Sequence, residues 1–249
     1  MNKNLIFIAL LSVAVSAASL VPTPSPGQAP PPLPAQGEEA LAIPEYKPPA
    51  RGAPGGRVGG ASRGTVKATM PLPTIELLAP DGNAGQTMSP TPILYFYVSQ
   101  LITWPTQFTI SAPLRPDPVI EVNIPAPQRA GVYAVRTADY HVQLQPGVLY
   151  TWSVSAIINP KAPSRDIVAS ASLLRTAPDP TLESALHGAS PSRRAALFAQ
   201  AGFWYDAVAA AADMEAFDRH AALDALMNEV GLAEPARSDR QTLNGRPSR

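Results

Sequence analysis

Proline is distributed along this chain in a way that limits where it can fold. Thirty of the 249 residues are proline, more than twice the average usage. Eleven of these prolines lie between Pro22 and Pro54. Because proline donates no amide hydrogen bond and fixes φ, such a stretch cannot form the interior of a helix or a sheet. We therefore predict that residues 18–63 form a disordered linker and arm outside the packed fold.

The first 17 residues have the features of a signal peptide. Lys3 and the terminal amine precede an apolar run over residues 5–15, and small residues follow at Ser16 and Ala17. As a helix, residues 5–18 would reach about 21 Å, which is shorter than the hydrocarbon core of about 30 Å. We therefore expect cleavage, and a periplasmic or secreted protein without a stable membrane span.

Charge and cysteine content exclude several classes of function. The 19 basic residues equal the 19 acidic residues, so no net charge attracts nucleic acid. The chain contains no cysteine, which excludes a disulfide, a thiol nucleophile and a lipoprotein anchor. No cofactor and no metal are predicted, because His141, His187 and His220 have none of the spacings of a zinc site.

A segment rich in glycine and arginine, residues 51–65, contains two incomplete catalytic motifs. Its glycines have the spacing of a phosphate-binding loop, but Ala61 stands where that loop needs lysine. Residues 60–64 match the pattern G-x-S-x-G around Ser62, yet no apolar strand precedes them as that serine elbow requires. We therefore predict no enzyme activity. A periplasmic serine hydrolase that uses Ser62 with one of the histidines is the alternative.

Arginine recurs every six residues in the same segment. Arg51, Arg57 and Arg63 would lie on one side of an extended chain, because six is a multiple of the two-residue period of a strand. Arg57 and Arg63 are therefore candidates for contact with an anionic partner. The other interpretation is that these arginines keep a glycine-rich arm soluble.

The pattern between residues 64 and 177 is typical of a β-sandwich. Short β-branched or aromatic runs alternate with proline, glycine, aspartate and asparagine at intervals of about ten residues. This spacing predicts antiparallel strands at 74–78, 93–99, 107–112, 119–124, 132–136, 141–144, 149–158 and 167–176.

The residues around Tyr150 resemble a corner of immunoglobulin-like and fibronectin type III domains. In those domains a tyrosine hydroxyl bonds backward to the chain, and alternate residues after it enter the core. Here Pro146 and Gly147 form a turn before Tyr150, and Trp152 and Val154 follow at alternate positions. We predict structural roles for Gly147, Tyr150 and Trp152.

After residue 177 the pattern changes to alanine-rich helices, over residues 178–233. Asp179-Pro180 and Ser190-Pro191 are start signals, because a capping side chain precedes a proline with a helical φ. Glycines then stop the helices. These signals predict four helices, the third over 204–217 and the fourth over 220–230.

The run from Gly202 through Trp204 to Val208 resembles the turn of a tetratricopeptide repeat. In that turn a glycine changes the chain direction and an aromatic residue fills the next helix face. Only one such unit is present, whereas about three are needed to stand alone, so we expect it to pack on the sandwich. Gly202 and Trp204 are predicted to be structural, and Asp206 to stabilise the helix dipole.

Three blocks of the sequence resemble the DUF928 family, which is abundant in cyanobacteria and has no known function. The blocks are residues 52–64, the strand with Tyr150 and Trp152, and residues 195–198 leading into 202–207. The resemblance covers about residues 51–232 and supplies no catalytic residues. It also implies that Val66 and Ile158 occupy the positions of a family disulfide, so we expect these two residues to be close neighbours.

Together these patterns predict an α+β chain. An antiparallel immunoglobulin-like β-sandwich at 64–177 would be followed by a small helical hairpin region at 178–233 and a disordered tail at 234–249. The first functional hypothesis is an exported, non-catalytic module that contacts an envelope protein or polymer, because sandwich edges and loops are binding surfaces. A purely structural spacer is a further alternative.

Overall fold

Nine strands form two sheets in the described part of the chain. The structure is a computed structural model that describes residues 41–49, 57–60, 72–177 and 180–232. Its strands are β1 (Arg57–Gly60), β2 (Ile75–Leu77), β3 (Gly85–Thr87), β4 (Ile93–Val98), β5 (Thr106–Ser111), β6 (Ile120–Ile124), β7 (Gly131–Arg136), β8 (Leu149–Ala156) and β9 (Ile167–Arg175). The larger sheet has the order β1-β9-β8-β5-β6, with β3 also on β9, and the smaller sheet has the order β2-β4-β7.

Four α-helices follow the strands within the described residues. They are α1 (Pro180–Leu186), α2 (Pro191–Gln200), α3 (Trp204–Ala212) and α4 (Ala216–Glu229). The predicted α+β class is therefore confirmed. No helix in the described ranges is long and apolar enough to cross a bilayer.

Strand β4 is buried along almost its whole length. Five of its six residues are buried, with only Ile93 partly exposed. Since neighbouring side chains in a strand point to opposite faces, such a run needs cover on both sides. On one side Leu94 and Phe96 belong to the same core as Phe108 of β5. On the other side Tyr95 lines a groove against the helices.

The predicted strand at 141–144 is wrong. A short 3-10 helix, Thr137–Tyr140, precedes these residues, His141 follows it with a left-handed φ of 56°, and residues 142–144 are irregular. Val142 and Leu144 are buried all the same, and the amide of Leu144 donates to the carbonyl of Pro90 at 2.8 Å. Alternate apolar residues can thus pack an irregular segment onto the core without forming a strand.

Two strands, β1 and β3, are not predicted by the sequence pattern. Both pair with β9, β1 in the antiparallel sense and β3 in the parallel sense. The parallel pair departs from the expected all-antiparallel arrangement. Gly85-Gln86-Thr87 lacks the apolar alternation of a strand. It is a strand because it pairs with the distant β9, and local sequence preference does not predict that pairing.

The boundary between α3 and α4 also differs from the prediction. We predict a helix to residue 217, but α3 ends at Ala212 and α4 begins at Ala216. No glycine or proline marks this break. Instead the guanidinium of Arg219 donates to the carbonyl of Met214 at 2.9 and 3.1 Å, which satisfies a backbone acceptor in the turn.

Residues 41–49 pack against the helices, although they lie within the predicted linker 18–63. Tyr46 is only 6% exposed. The amide of Lys47 donates to the carbonyl of Ala199 at 3.0 Å, and that of Ala42 donates to the hydroxyl of Ser192 at 2.9 Å. A chain rich in proline cannot enter a sheet, but it can lie extended across a helix surface.

Several predictions fall outside the described residues and stay predictions. They concern the signal peptide at 1–17, the predicted linker apart from residues 41–49 and β1, the tail at 234–249, and the residues Ser62, Arg63 and Val66. Of the expected pair Val66 and Ile158, only Ile158 is described; its amide donates to the carboxylate of Asp166 at 2.9 Å, just after β8.

Candidate functional site

A buried hydrogen-bonded joint fixes the helices to the larger sheet. The indole nitrogen of Trp152, in β8, donates to the hydroxyl of Tyr205 at 2.8 Å. That hydroxyl donates in turn to the carbonyl of Ser172 in β9 at 3.1 Å. Trp152 is fully buried and Tyr205 nearly so. The first turn of α3 is therefore bonded to two adjacent strands.

Trp204 completes this joint on the other side. Its indole nitrogen donates to the carbonyl of Leu78 at 2.9 Å, and its ring meets that of Tyr46 edge to face with 4.9 Å between centroids. Trp204 thus holds both the chain after β2 and the segment 41–49. Polar tips that find buried partners are what allow such large rings to be fully enclosed.

Glycines permit close approach at two points of the joint. A Cβ atom on Gly85 would lie 2.6 Å from Cε2 of Tyr205, so β3 passes directly under that ring. Gly202 has a φ of 82°, and a Cβ there would lie 3.2 Å from the carbonyl oxygen of Lys47. Gly202 therefore serves both the turn between α2 and α3 and the contact with the segment 41–49.

An open groove lies between the smaller sheet and the helices. Its volume is about 630 Å³. Tyr95 of β4 and Arg136 of β7 line it from the sheet, whereas Arg194 of α2 and Asp213 after α3 line it from the helices. Ile93, Phe198 and Ala209 add an apolar surface. The groove thus combines apolar walls with charges of both signs.

Asp206 lies in this groove and ties α3 to the chain after β3. Its carboxylate accepts a hydrogen bond from the amide of Met88 at 2.9 Å. Burial raises the pKa of Asp206 to about 6, although hydrogen bonds with Met88, Thr87 and Ser89 act in the opposite direction. Asp206 lies in the first turn of α3, the position predicted for a residue that stabilises the helix dipole. In addition, it binds the loop after β3 through Met88.

Tyr95 is the buried phenol of the groove. Burial raises the pKa of Tyr95 to about 12. The positive charges of Arg136 and Arg219 act against this rise, whereas the negative charge of Asp213 adds to it. The hydroxyl is therefore neutral at physiological pH. Arg136 and Arg194 are both exposed, so the groove presents two guanidinium groups beside one neutral phenol.

Of the sequence-predicted structural residues, Trp152, Gly202 and Trp204 meet at the joint just described. Gly147 and Tyr150 lie instead at the turn before β8. Gly147 has a φ of 76°. The hydroxyl of Tyr150 accepts a hydrogen bond from the amide of Gln145 at 2.8 Å.

Of the two candidate arginines, only the backbone of Arg57 is described. It lies at the start of β1 opposite Ala171 of β9. Arg63 and the side chain of Arg57 lie outside the described residues, so their contact with a partner stays a prediction. No sequence motif points to the arginines of the groove, Arg136 and Arg194, because they come from a strand end and a helix with no pattern in common.

Nothing in the described ranges is arranged as a metal centre. No group of three or more histidine, aspartate or glutamate residues there could hold an ion. His141 follows a 3-10 helix, His187 follows α1 and His220 lies in α4. The three histidines therefore belong to three separate parts of the fold.

Comparison with known proteins identifies the family. The family model described as Domain of Unknown Function (DUF928) matches residues 58–239. No curated protein and no solved structure matches significantly. The matched range contains both sheets from Val58 onward and all four described helices, with the groove and all of the joint except segment 41–49. The chain belongs to the DUF928 family.

Proposed function

We propose that this protein is an exported, non-catalytic module that binds another component of the cell envelope through the groove. Within this proposal the sheets form an immunoglobulin-like β-sandwich, and the helices form a hairpin similar to a tetratricopeptide unit. Different observations support the function and the finer fold assignment.

The strand order supports the immunoglobulin-like assignment. β2, β4 and β7 form one sheet, while β6, β5, β8 and β9 are neighbours in the other. Such domains divide their strands between two sheets in this interleaved way. The bond from the amide of Gln145 to the hydroxyl of Tyr150 has the backward direction of a tyrosine corner.

The helical turn supports the second assignment. Gly202, with its positive φ, separates α2 from α3, and Ala207 is fully buried where the two helices approach. The pair packs on the sheets through the joint at Trp152 and Tyr205. A single helical pair of this kind is stabilised by the sheets instead of by further repeats.

The groove carries the functional proposal. Its volume of about 630 Å³ falls in the range of roughly 300–1,000 Å³ that is typical of ligand sites. Its lining joins apolar side chains with a few charged and hydroxyl groups, which is also typical of such sites. A surface of this composition can bury part of a partner and fix its orientation.

Capture from envelope extract tests the proposal. The mature protein and a variant Ala209→Phe, which fills part of the groove, are used as bait beside Ala216→Phe, an equal substitution at an exposed residue of α4. We expect an envelope component to be retained by the wild type and by Ala216→Phe, and lost with Ala209→Phe. Equal retention by all three, or by none, would contradict the proposal.

A further inference from the structure

We propose that the groove binds the C-terminal carboxylate of a peptide, with Arg136 and Arg194 holding the carboxylate between the smaller sheet and the helices. This inference rests on the proposed function and adds the chemical class of the ligand. The two arginines supply the positive charge that such a ligand needs.

Arg136 and Arg194 approach the groove from different sides. Arg136 ends β7, whereas Arg194 lies in the first half of α2. Both side chains are exposed, and neither makes a hydrogen bond or an ion pair with another described residue. Two guanidinium groups that have no partner within the described ranges can bind the oxygens of a carboxylate, the anion whose shape their planar fork matches.

Two further features of the groove favour an anion. Helix α2 begins at Pro191, which also lines the groove, and the N-terminus of a helix carries a partial positive charge. The neutral hydroxyl of Tyr95 can donate a further hydrogen bond. These features add to the arginines; neither of them alone makes a site.

The remaining lining selects a peptide among carboxylate ligands. Asp213 places an acceptor in the groove, and an amide N–H of the ligand can donate to it. Ile93, Phe198 and Ala209 offer an apolar surface for a side chain. A fatty acid has no donor for Asp213, and an inorganic anion has no apolar part. The C-terminal end of a peptide supplies the carboxylate, the donors and the apolar side chain together.

Isothermal titration with one matched pair of peptides tests the inference. The probe is acetyl-Ala-Leu-Phe with a free C-terminal carboxylate, and its control is the same peptide with a C-terminal amide. We expect the free acid to bind about tenfold more tightly, since the amide cannot form the charge-assisted hydrogen bonds that a carboxylate forms with guanidinium groups. Its affinity should fall as the salt concentration rises.

Charge variants locate the binding. We expect Arg136→Gln and Arg194→Gln each to weaken binding of the free acid about three- to tenfold and to leave binding of the amide unchanged. Arg165→Gln removes an exposed arginine outside the groove and should change neither. Asp213→Asn should strengthen binding of the free acid, because it removes a negative charge from the groove. Unchanged melting temperatures verify that the variants are folded.

The outcomes separate this inference from the proposed function. Equal binding of the acid and the amide, absence of binding by both, or insensitivity to Arg136→Gln and Arg194→Gln would overturn the carboxylate site. If Ala209→Phe still abolishes capture from envelope extract in that case, the groove binds a partner of different chemistry and the proposed function stands. If capture does not depend on the groove, the proposed function fails whatever the peptides do.

Discussion

The hydroxyl of Tyr205 accepts the indole hydrogen of Trp152 at 2.8 Å, in a place from which water is excluded. Trp152 lies in β8, in the middle of the larger sheet, and Tyr205 lies in the first turn of α3. One bond therefore joins two parts of the chain that are 53 residues apart. The helical region and the sheets should unfold together.

Tyr205→Phe tests this coupling. The substitution leaves the indole N–H of Trp152 and the carbonyl of Ser172 without their partner, so we expect the free energy of unfolding to fall by about 1–3 kcal/mol. Urea unfolding measures the loss. The matched control is Tyr133→Phe, whose hydroxyl donates to the carbonyl of Arg129 in an exposed position; it should cost less than about 1 kcal/mol. Equal losses would contradict the buried bond.

Tyr150→Phe tests the corner before β8. Its hydroxyl is the acceptor for the amide of Gln145, and Tyr150 is 4% exposed. We expect a loss of roughly 1–3 kcal/mol in unfolding free energy, because a partly buried amide loses its acceptor. Tyr140→Phe, at a partly exposed ring against Phe108, serves as the control. A loss below about 0.3 kcal/mol for Tyr150→Phe would mean that water replaces the hydroxyl.

Gly202→Ala tests the close approach between the helical turn and the segment 41–49. Gly202 and Gly188 have similar positive φ values, 82° and 70°, but of the two only Gly202 has other atoms within 4 Å of the place a Cβ would take. An alanine at either position should cost about 1–2 kcal/mol through its backbone conformation. Only Gly202→Ala should also displace Lys47 and Pro49, which limited proteolysis within 41–49 would detect. Equal protease sensitivity of the two variants would contradict this contact.

The sequence predicts those elements in which the apolar pattern and the flanking turn residues indicate the same boundaries. β4, β5, β8 and β9 combine β-branched or aromatic runs with clear turn residues, and the structure contains them near the predicted positions. The helix starts at Pro180 and Pro191 are also found, because the capping signals are local. These elements depend little on distant partners.

What the sequence does not predict depends on contacts that are remote along the chain. β3 is a strand because it pairs with β9 and passes under Tyr205, and neither relation is visible in Gly85-Gln86-Thr87. The groove arises in the same way, because Arg136 and Arg194 line one groove only when α2 packs near the smaller sheet. Asp206 is predicted only as a dipole residue, since its bond to Met88 spans 118 positions.

The raised pKa of Asp206 predicts a pH dependence of stability. Its folded-state pKa is about 6, above the ordinary value of 3.8, so the folded protein binds the proton more tightly than the unfolded chain does. The stabilising contribution is therefore complete below about pH 4 and is lost as the pH rises through 6. Asp206→Asn retains an acceptor for Met88 but does not titrate.

Urea unfolding of the wild type and of Asp206→Asn between pH 4 and 7 measures this effect. We expect the stability of the wild type relative to the variant to decline across this range. Glu229, whose pKa burial also raises, is present in both proteins and cancels in the difference. Parallel stability curves would contradict a raised pKa for Asp206.

Export is a prediction of the sequence alone. The apolar run over residues 5–15 and the small residues after it should direct cleavage before Ala18 or Ser19. Fractionation of the producing cells with N-terminal sequencing of the recovered protein measures this. A protein that retains Met1 in the cytoplasm would be the contrary result.

The order in which this chain is made leaves the smaller sheet exposed for a time. Its last strand ends at Arg136, but the helices that cover the side of Tyr95 begin only at Pro180. Likewise, β3 cannot pair until its parallel neighbour β9 has been made. A chain that stops before β9 therefore keeps an unpaired segment, and one that stops before α1 still keeps an uncovered apolar face; both favour aggregation. The C-terminal helices thus complete the fold, and we expect a nascent chain to be prone to aggregation until they have been made.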